Sequence, residues 1–181
     1  MKLYELKFQI DDLFGQAEAR TKKFIYDPNP DINAGLIDIF ALSEDEHYLF
    51  MNYLQNTANE VYNTIQKLSD FNLLYSQILE EDELELPRYM FDIQDDETGQ
   101  RIIQYRVLFP DNFVQTKFVN DISEALICGA IMQHFQVVGQ DKPFALFSSL
   151  YNNKITDLHS VASGSNVDYK PNSLTRRRGL W

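Results

Sequence analysis

The chain has 181 residues, of which 44% are hydrophobic and 13% aromatic, and this is enough apolar side chain to build the core of one domain. Its formal net charge of −11 argues against a body that binds nucleic acid, because such proteins need a basic surface. The single cysteine, Cys128, excludes an internal disulfide bond, and no apolar stretch approaches the roughly 20 residues of a membrane span.

The first segment fits two kinds of secondary structure. Its apolar residues alternate with polar ones as in a strand at Tyr4, Leu6, Phe8 and Ile10. Leu6, Ile10, Leu13, Phe14 and Ala17 also share one face of a helix. We predict a helix over about residues 3–22, followed by a connector that the prolines at 28 and 30 keep irregular.

A long helix is predicted next. Ser43 and Glu46 have the spacing of a capping box, in which the serine hydroxyl and the glutamate carboxylate satisfy backbone N–H groups at a helix start. Apolar residues then recur every three or four positions up to Leu68, so the helix should end near residue 70 and bury one stripe. The acidic run at 80–85 predicts a solvated loop or helix face, since like charges repel and resist burial.

A β-hairpin is predicted over about residues 88–109. Tyr89, Phe91 and Ile93 alternate with Met90, Asp92 and Gln94, and a similar alternation resumes from Ile103 to Phe109. The charged turn between them contains Gly99, which can adopt a positive φ. An isolated hairpin is marginal in water, so we expect this one to pack on a helix or pair with another chain.

Two more helices are predicted after the hairpin. The first, over about 113–138, is apolar nearly all round, which is typical of a helix with neighbours on several sides, and Gly129 within it permits a close approach. Cys128 lies in this apolar run, which predicts a core role for it because free cysteine usually behaves as a small buried hydrophobe. Gly139 fits the helix end and Pro143 the first turn of the next helix, which should pack antiparallel to it.

No catalytic or metal-binding motif is visible. The histidines, His47, His134 and His159, stand far apart, and we expect each on a helix surface or edge. The sequence contains no nucleophile elbow and no glycine-rich phosphate loop. We therefore predict a protein that is not an enzyme, with no catalytic residue, no cofactor and no metal.

The last nineteen residues have a different character from the rest. They carry one acidic and four basic side chains, a net charge of +3, which leaves −14 on residues 1–162. We predict an acidic helical domain over residues 1–162 and an extended basic arm over 163–181. The predicted fold class is mainly α with one β-hairpin, a helical bundle-like domain with an extended C-terminal arm.

The arm is predicted to bind protein. Arginines can form forked pairs with carboxylates, and aromatic side chains can fill pockets. The predicted partner-binding residues are Tyr169, Arg176, Arg177, Arg178, Leu180 and Trp181. Two alternatives stay open: a tail that only increases solubility, and an arm that binds nucleic-acid phosphates with Trp181 stacked on a base.

The order of these segments resembles the neck, or head-tail connector, proteins of tailed bacteriophages, in particular the ring and adaptor proteins of crAss-like and related phages. The resemblance covers about residues 43–181: a long helix, the hairpin, a core helix with Phe113, Phe118, Val119, Ile122, Ala125 and Leu126, a further helix and the arm. It implies a ring of copies beneath a portal, with terminal arms that reach along adjacent subunits.

The resemblance implies a structural virion protein, a neck ring or adaptor subunit that joins portal to tail. Its partners would be other copies in a ring, the portal and tail proteins, with no membrane. DNA would pass without specific binding, because an acidic wall repels it. Such a subunit would be assembled in the bacterial host cytoplasm and reside in the virion. The alternative is a small acidic adaptor or regulatory protein that acts as a monomer or dimer.

Overall fold

A computed structural model describes residues 2–25, 35–37, 39–66, 90–95, 101–109 and 115–164. Its principal elements are β1 (Lys2–Gln9), α1 (Ile10–Phe24), a 3-10 turn (Glu44–Glu46), α2 (His47–Gln66), β2 (Met90–Asp95), β3 (Arg101–Phe109), α3 (Gln115–Val137) and α4 (Asp141–Gly164). The described residues are mainly helical with a β2–β3 hairpin, so the predicted fold class is confirmed. Residues 165–181 lie outside the described residues, and the division into domain and arm stays a prediction.

The predicted helix over residues 3–22 is wrong in its first part. Residues 2–9 form β1, which pairs antiparallel with β3 in the register Lys2↔Phe109 to Gln9↔Ile102, and the sheet order is β1-β3-β2. Leu6 and Phe8 are buried, whereas Glu5, Lys7 and Gln9 are exposed, as expected for a strand with one face on the core. The hairpin therefore gains a third strand from the start of the chain.

The helical part of that first prediction is confirmed from Ile10 onward. α1 buries Ile10, Leu13, Phe14 and Ala17 on one side, spaced at three and four residues. Asp11 and Asp12 occupy its first turn, and Lys22 and Lys23 occupy its last. The negative charges stabilise the positive, N-terminal end of the helix dipole, and the positive charges stabilise its negative, C-terminal end.

The predicted capping box at the start of α2 is confirmed. The backbone N–H of Ser43 donates to Oε2 of Glu46 at 3.1 Å, and a 3-10 turn precedes the α-helix. α2 buries a stripe that contains Phe50, Leu54, Val61 and Ile65. The predicted continuation to residue 70, like the acidic run at 80–85, lies outside the described residues.

α3 is the most enclosed helix of the described fold. It is apolar and buried on several sides from Phe118 to Phe135, and it packs against α1, α2 and α4. A three-residue turn with Gly139 at φ 71° connects it to α4, which returns antiparallel with Phe147, Tyr151 and Leu158 facing the core. The predicted core helix and its helical hairpin are therefore confirmed.

Candidate protein-binding surfaces

The predicted partner-binding residues all belong to the C-terminal arm. Tyr169, Arg176, Arg177, Arg178, Leu180 and Trp181 lie outside the described residues. Their role stays a prediction. The candidate surfaces that can be built from side-chain geometry belong to the helical body.

An exposed aromatic ring lies where α1 ends against α4. Phe24 is the last residue of α1, and its ring meets that of Phe147 edge-on, with 5.0 Å between the centroids. Phe147 is buried and stacks on Phe135 of α3 at 5.8 Å. Phe24 itself is 44% exposed. The aromatic cluster of the core is therefore partly exposed to solvent at this end of α1.

Two exposed leucines of α4 lie close in sequence to Phe147. Leu146 and Leu150 are 40% and 38% exposed, and Lys142 precedes them on the same side of the helix at a spacing of four residues. Leu146 is next in sequence to Phe147, the contact of Phe24. We name Phe24, Leu146 and Leu150 the apolar patch.

Exposed apolar side chains are concentrated at this end of the body. Ile39 and Val137 are also exposed. Their segments meet here because Nε2 of His134, one turn before Val137, lies 2.9 Å from the carbonyl oxygen of Phe40. Of the six large apolar side chains that are exposed in the described residues, five lie in these segments: Phe24, Ile39, Val137, Leu146 and Leu150.

Lysines surround the apolar patch. Lys22 and Lys23 precede Phe24, and Lys142 lies one turn before Leu146. Lys22 forms an exposed pair with Glu18, with 2.8 Å between Nζ and Oε1. We name the three lysines the lysine rim. Exposed Asp141 precedes Lys142 and Glu18 pairs with Lys22, so these five side chains carry a net charge of +1 beside the apolar patch.

The opposite end of α1 is acidic. Asp11 and Asp12 are exposed in its first turn, and the 3-10 turn brings exposed Glu44 and Asp45 to the start of α2. The two starts are held together at His47, whose Nε2 lies 3.4 Å from Oδ1 of Asp11. We name Asp11, Asp12, Glu44 and Asp45 the acidic end.

The sixth exposed apolar side chain belongs to this acidic end. Tyr48 follows His47 in the first turn of α2 and is 67% exposed. The ring of His47 packs on Phe14 of α1 at 4.8 Å, which fixes the start of α2 beside the start of α1. Tyr48 is therefore an exposed aromatic side chain one helical turn after the carboxylates of Glu44 and Asp45.

A forked ion pair joins α1 to α3. Nη2 and Nη1 of Arg20 lie 2.7 and 2.8 Å from the two carboxylate oxygens of Glu124. The hydrogen bonds to Arg20 hold the pKa of Glu124 below its ordinary value, and those to Glu124 raise the pKa of Arg20. This forked geometry aligns the two helices.

A second ion pair joins α4 to α3 beside the first. Nζ of Lys154 lies 3.1 Å from Oδ1 of buried Asp121 and 3.4 Å from Oδ2 of Asp157. The bond to Asp121 is the main cause that raises the pKa of Lys154. Cys128, nearby on α3, is buried as predicted, and burial raises the pKa of its thiol. The charged side chains of these two ion pairs are paired with one another, and the pairs join α1, α3 and α4.

Polar side chains also connect α2 to α3 and α4. Nε2 of Gln133 donates to Oγ1 of Thr57 at 3.0 Å and to the carbonyl oxygen of Tyr53 at 3.2 Å. The hydroxyl of Tyr151 donates to Oε2 of Glu60 at 2.6 Å. Burial, followed by this hydrogen bond, raises the pKa of Tyr151. These contacts have structural explanations in the helix packing.

The prediction for the three histidines is partly wrong. His134 is buried, because its ring lies against the Phe40 carbonyl and between the rings of Tyr53 and Phe135. His159 is exposed and His47 is half-buried.

Within the described ranges, no group of three or more His, Cys, Asp or Glu side chains could hold a metal ion. None of the helices in those ranges is long and apolar enough to cross a membrane.

The apolar patch was missed by the sequence analysis, although a signal for it exists. The buried stripe of α4 contains Phe147, Tyr151 and Leu158, and Leu146 and Leu150 fall beside it rather than on it. Apolar residues four apart and off the buried stripe indicate a second apolar face.

The chain was also compared with known proteins. Searches against protein-family models, curated proteins and solved structures found no match to this chain. The surfaces are therefore interpreted from their own geometry and charge.

Proposed function

We propose that this chain is a non-enzymatic structural subunit that works by binding copies of itself and other proteins. The observation that carries the proposal is the concentration of exposed apolar side chains at one end of the body, represented by Phe24, Leu146 and Leu150. Single exposed apolar residues are common on monomers, whereas contiguous ones rimmed by polar groups mark interaction sites.

The specific form that we propose is a neck ring or adaptor subunit of a tailed bacteriophage, which joins portal to tail. The segment order supports it: a long α2, the β2–β3 hairpin, the enclosed α3, then α4 and the predicted arm follow one another as in the neck proteins that the sequence resembles. The net charge of −11 suits a channel wall through which DNA slides without binding.

The predicted arm has a role in this proposal. Its net charge of +3 is opposite to that of the body, and its arginines and Trp181 are of the residue types enriched at interface hot spots. An acidic surface on a neighbouring subunit or on a portal protein would receive it. The arm would then link adjacent subunits in the virion.

The experiment that tests the proposal measures the mass of the full chain in solution. Sedimentation velocity and native mass spectrometry are run over a wide concentration range, alone and with a purified phage portal protein. We expect a closed oligomer of one defined mass, or a stable complex with the portal. A chain that stays monomeric or dimeric and ignores the portal would overturn the proposal and favour the small acidic adaptor.

A further inference from the structure

We infer that the apolar patch with its lysine rim binds the acidic end of a second copy of this chain, head to tail. The inference rests on the proposed self-assembly and specifies its interface. The apolar patch is Phe24, Leu146 and Leu150, and the residue that it would receive is Tyr48.

The apolar patch restricts the chemistry of its partner. Burial of Leu146 and Leu150 favours an apolar or aromatic group. The exposed lysines Lys23 and Lys142 beside them favour carboxylates and oppose a basic partner. The predicted arm, with its net charge of +3, is therefore a poor occupant. The partner should present an aromatic side chain among acidic groups.

The acidic end of the same chain has this composition. Tyr48 is 67% exposed and follows Glu44 and Asp45 by one helical turn, and its neighbour His47 contacts Asp11. Acidic residues at helix starts are explained in part by the helix dipoles. The dipoles give no reason for an exposed tyrosine, whereas an interface does, because tyrosine is enriched among the residues that contribute most binding energy.

Asp11 and Asp12 lie at the opposite end of α1 from Phe24. Glu44 and Asp45 belong to the segment that runs back along α1, from Leu42, whose N–H donates to Oγ1 of Thr21 at 3.1 Å, to His47 beside Asp11. Twelve residues separate Asp12 from Phe24, which is about 18 Å at 1.5 Å per residue. A contact between unlike surfaces repeats with the same handedness from subunit to subunit, and it closes into a ring if the rotation allows. A symmetric contact through the apolar patch would instead bring lysines against lysines, which is unfavourable.

The test uses two variants of the full chain, each with one damaged surface. The patch variant carries Leu146→Glu and Leu150→Gln, and glutamine is chosen at 150 so that Lys154, one turn on, keeps its carboxylate partners. The acidic-end variant carries Tyr48→Ala and Asp45→Asn, both at exposed positions. Each variant alone should lose self-association by roughly tenfold or more, as expected when interface anchors are removed.

A mixture of the two variants gives the decisive result. Each still has one intact surface, so an equimolar mixture should form a one-to-one dimer through the intact apolar patch and the intact acidic end, and nothing larger. The matched control carries Ala145→Glu and Asn152→Gln, exposed positions that lie about 100° and 120° around α4 from Leu146. The control should assemble like the unmodified chain, and all variants should keep its circular dichroism and Tm.

Three outcomes would overturn the inference, and they are distinguishable. If the patch variant assembles with undiminished affinity, the inference fails while the proposed function stands. If both variants lose assembly but the mixture forms no dimer, the contact is not head to tail. If the unmodified chain is monomeric at every concentration and does not bind a portal protein, the inference and the proposed function fail together.

Discussion

Gly129 of α3 lies close to side chains of α2 and α4. A Cβ atom there would collide with Cγ2 of Thr57 and lie 3.1 Å from Cε2 of Tyr151. Thr57 cannot move away easily, since its hydroxyl donates to the Tyr53 carbonyl at 2.9 Å and accepts from Gln133. The glycine therefore permits the crossing of α2 over α3, as its place in the sequence predicted.

Gly129→Ala should destabilise the protein by about 1–3 kcal/mol, because overpacking outweighs the better helix propensity of alanine. Gly15→Ala is the matched control. Gly15 lies inside α1 with open space around its Cβ position, so alanine there should stabilise by about 0.5–1 kcal/mol. Urea unfolding measures both. A Gly129→Ala protein that is as stable as the unmodified chain, or more stable, would contradict the close approach at Gly129.

The Arg20–Glu124 pair should make stability depend on pH. The pKa of Glu124 is lowered in the folded protein, so its contribution is present above the ordinary value of 4.5 and is lost as the pH falls through the lowered pKa. Glu124→Gln should cost about 1 kcal/mol at pH 7, a modest value because both side chains are about one-third exposed to water. The cost should shrink as the pH is lowered below 4.5.

The measurement is the free energy of unfolding of both proteins between pH 7 and pH 3. Glu18→Gln provides the control, since Glu18 pairs with Lys22 at an exposed i,i+4 position worth only about 0.3–0.5 kcal/mol. An equal cost of Glu124→Gln at pH 7 and pH 3 would show that the carboxylate charge contributes nothing.

At the scale of elements, β1 decides how the sheet meets the helices. Phe8 and Leu6 are buried on the helix side, and the Phe8 ring meets Tyr105 of β3 edge-on at 6.1 Å. The hydroxyl of Tyr105 donates to the Ala58 carbonyl of α2 at 3.2 Å. The strand at the start of the chain therefore completes a contact between the hairpin and a distant helix.

Phe8→Ala should destabilise by about 3 kcal/mol through lost burial and the cavity that remains. Lys7→Ala, at the next position on the exposed face, should change stability by less than about 0.5 kcal/mol. Denaturant unfolding of the two variants tests whether buried and exposed residues alternate along β1. Similar effects at both positions would contradict a strand with one buried face.

α3 should tolerate no unpaired charge on its buried sides. Leu126 is fully buried at its centre, so Leu126→Asp should destabilise by several kcal/mol, on the scale of a lost apolar side chain plus an unpaired polar group. Asn120→Asp, at an exposed position of the same helix, is the control and should be nearly neutral. Thermal unfolding compares them. An unaffected Leu126→Asp protein would contradict the burial of this side within the single chain.

At the scale of the whole molecule, charge is separated along the chain. Residues 1–162 carry −14 and the predicted arm carries +3. Within α1, Asp11 and Asp12 in the first turn and Lys22 and Lys23 in the last turn repeat this separation over the length of the helix. Opposite charges on different parts of one chain favour association between copies in defined orientations and disfavour random contacts.

The predicted arm should contribute to assembly without contributing to folding. Removal of residues 173–181 should leave the body folded and weaken assembly. Arg176→Glu, Arg177→Glu and Arg178→Glu together should weaken it in a salt-dependent way, because exposed ion pairs are screened within about 8–10 Å. Trp181→Ala should weaken it with little salt dependence. Sedimentation at two salt concentrations measures both, and undiminished assembly of the truncated chain would leave the arm with only a solubilising role.

The sequence by itself determined the parts of the fold that depend on neighbouring residues. The capping box at Ser43 and Glu46, the turn at Gly139 and the three-to-four-residue stripes place α2, α3 and α4, because helix hydrogen bonds and caps are local. The period-two pattern places the β2–β3 hairpin for the same reason, since its strands are joined by a short turn.

Only the tertiary structure decided the features that depend on distant residues. The apolar pattern of residues 2–9 fits a strand and a helix, and pairing with β3, far along the chain, selects the strand because it satisfies the backbone of both. His134 is buried because the Phe40 carbonyl faces its ring. Leu146 and Leu150 stay exposed because α3 covers the other face of α4, and periodicity alone cannot show which apolar face a neighbour will cover.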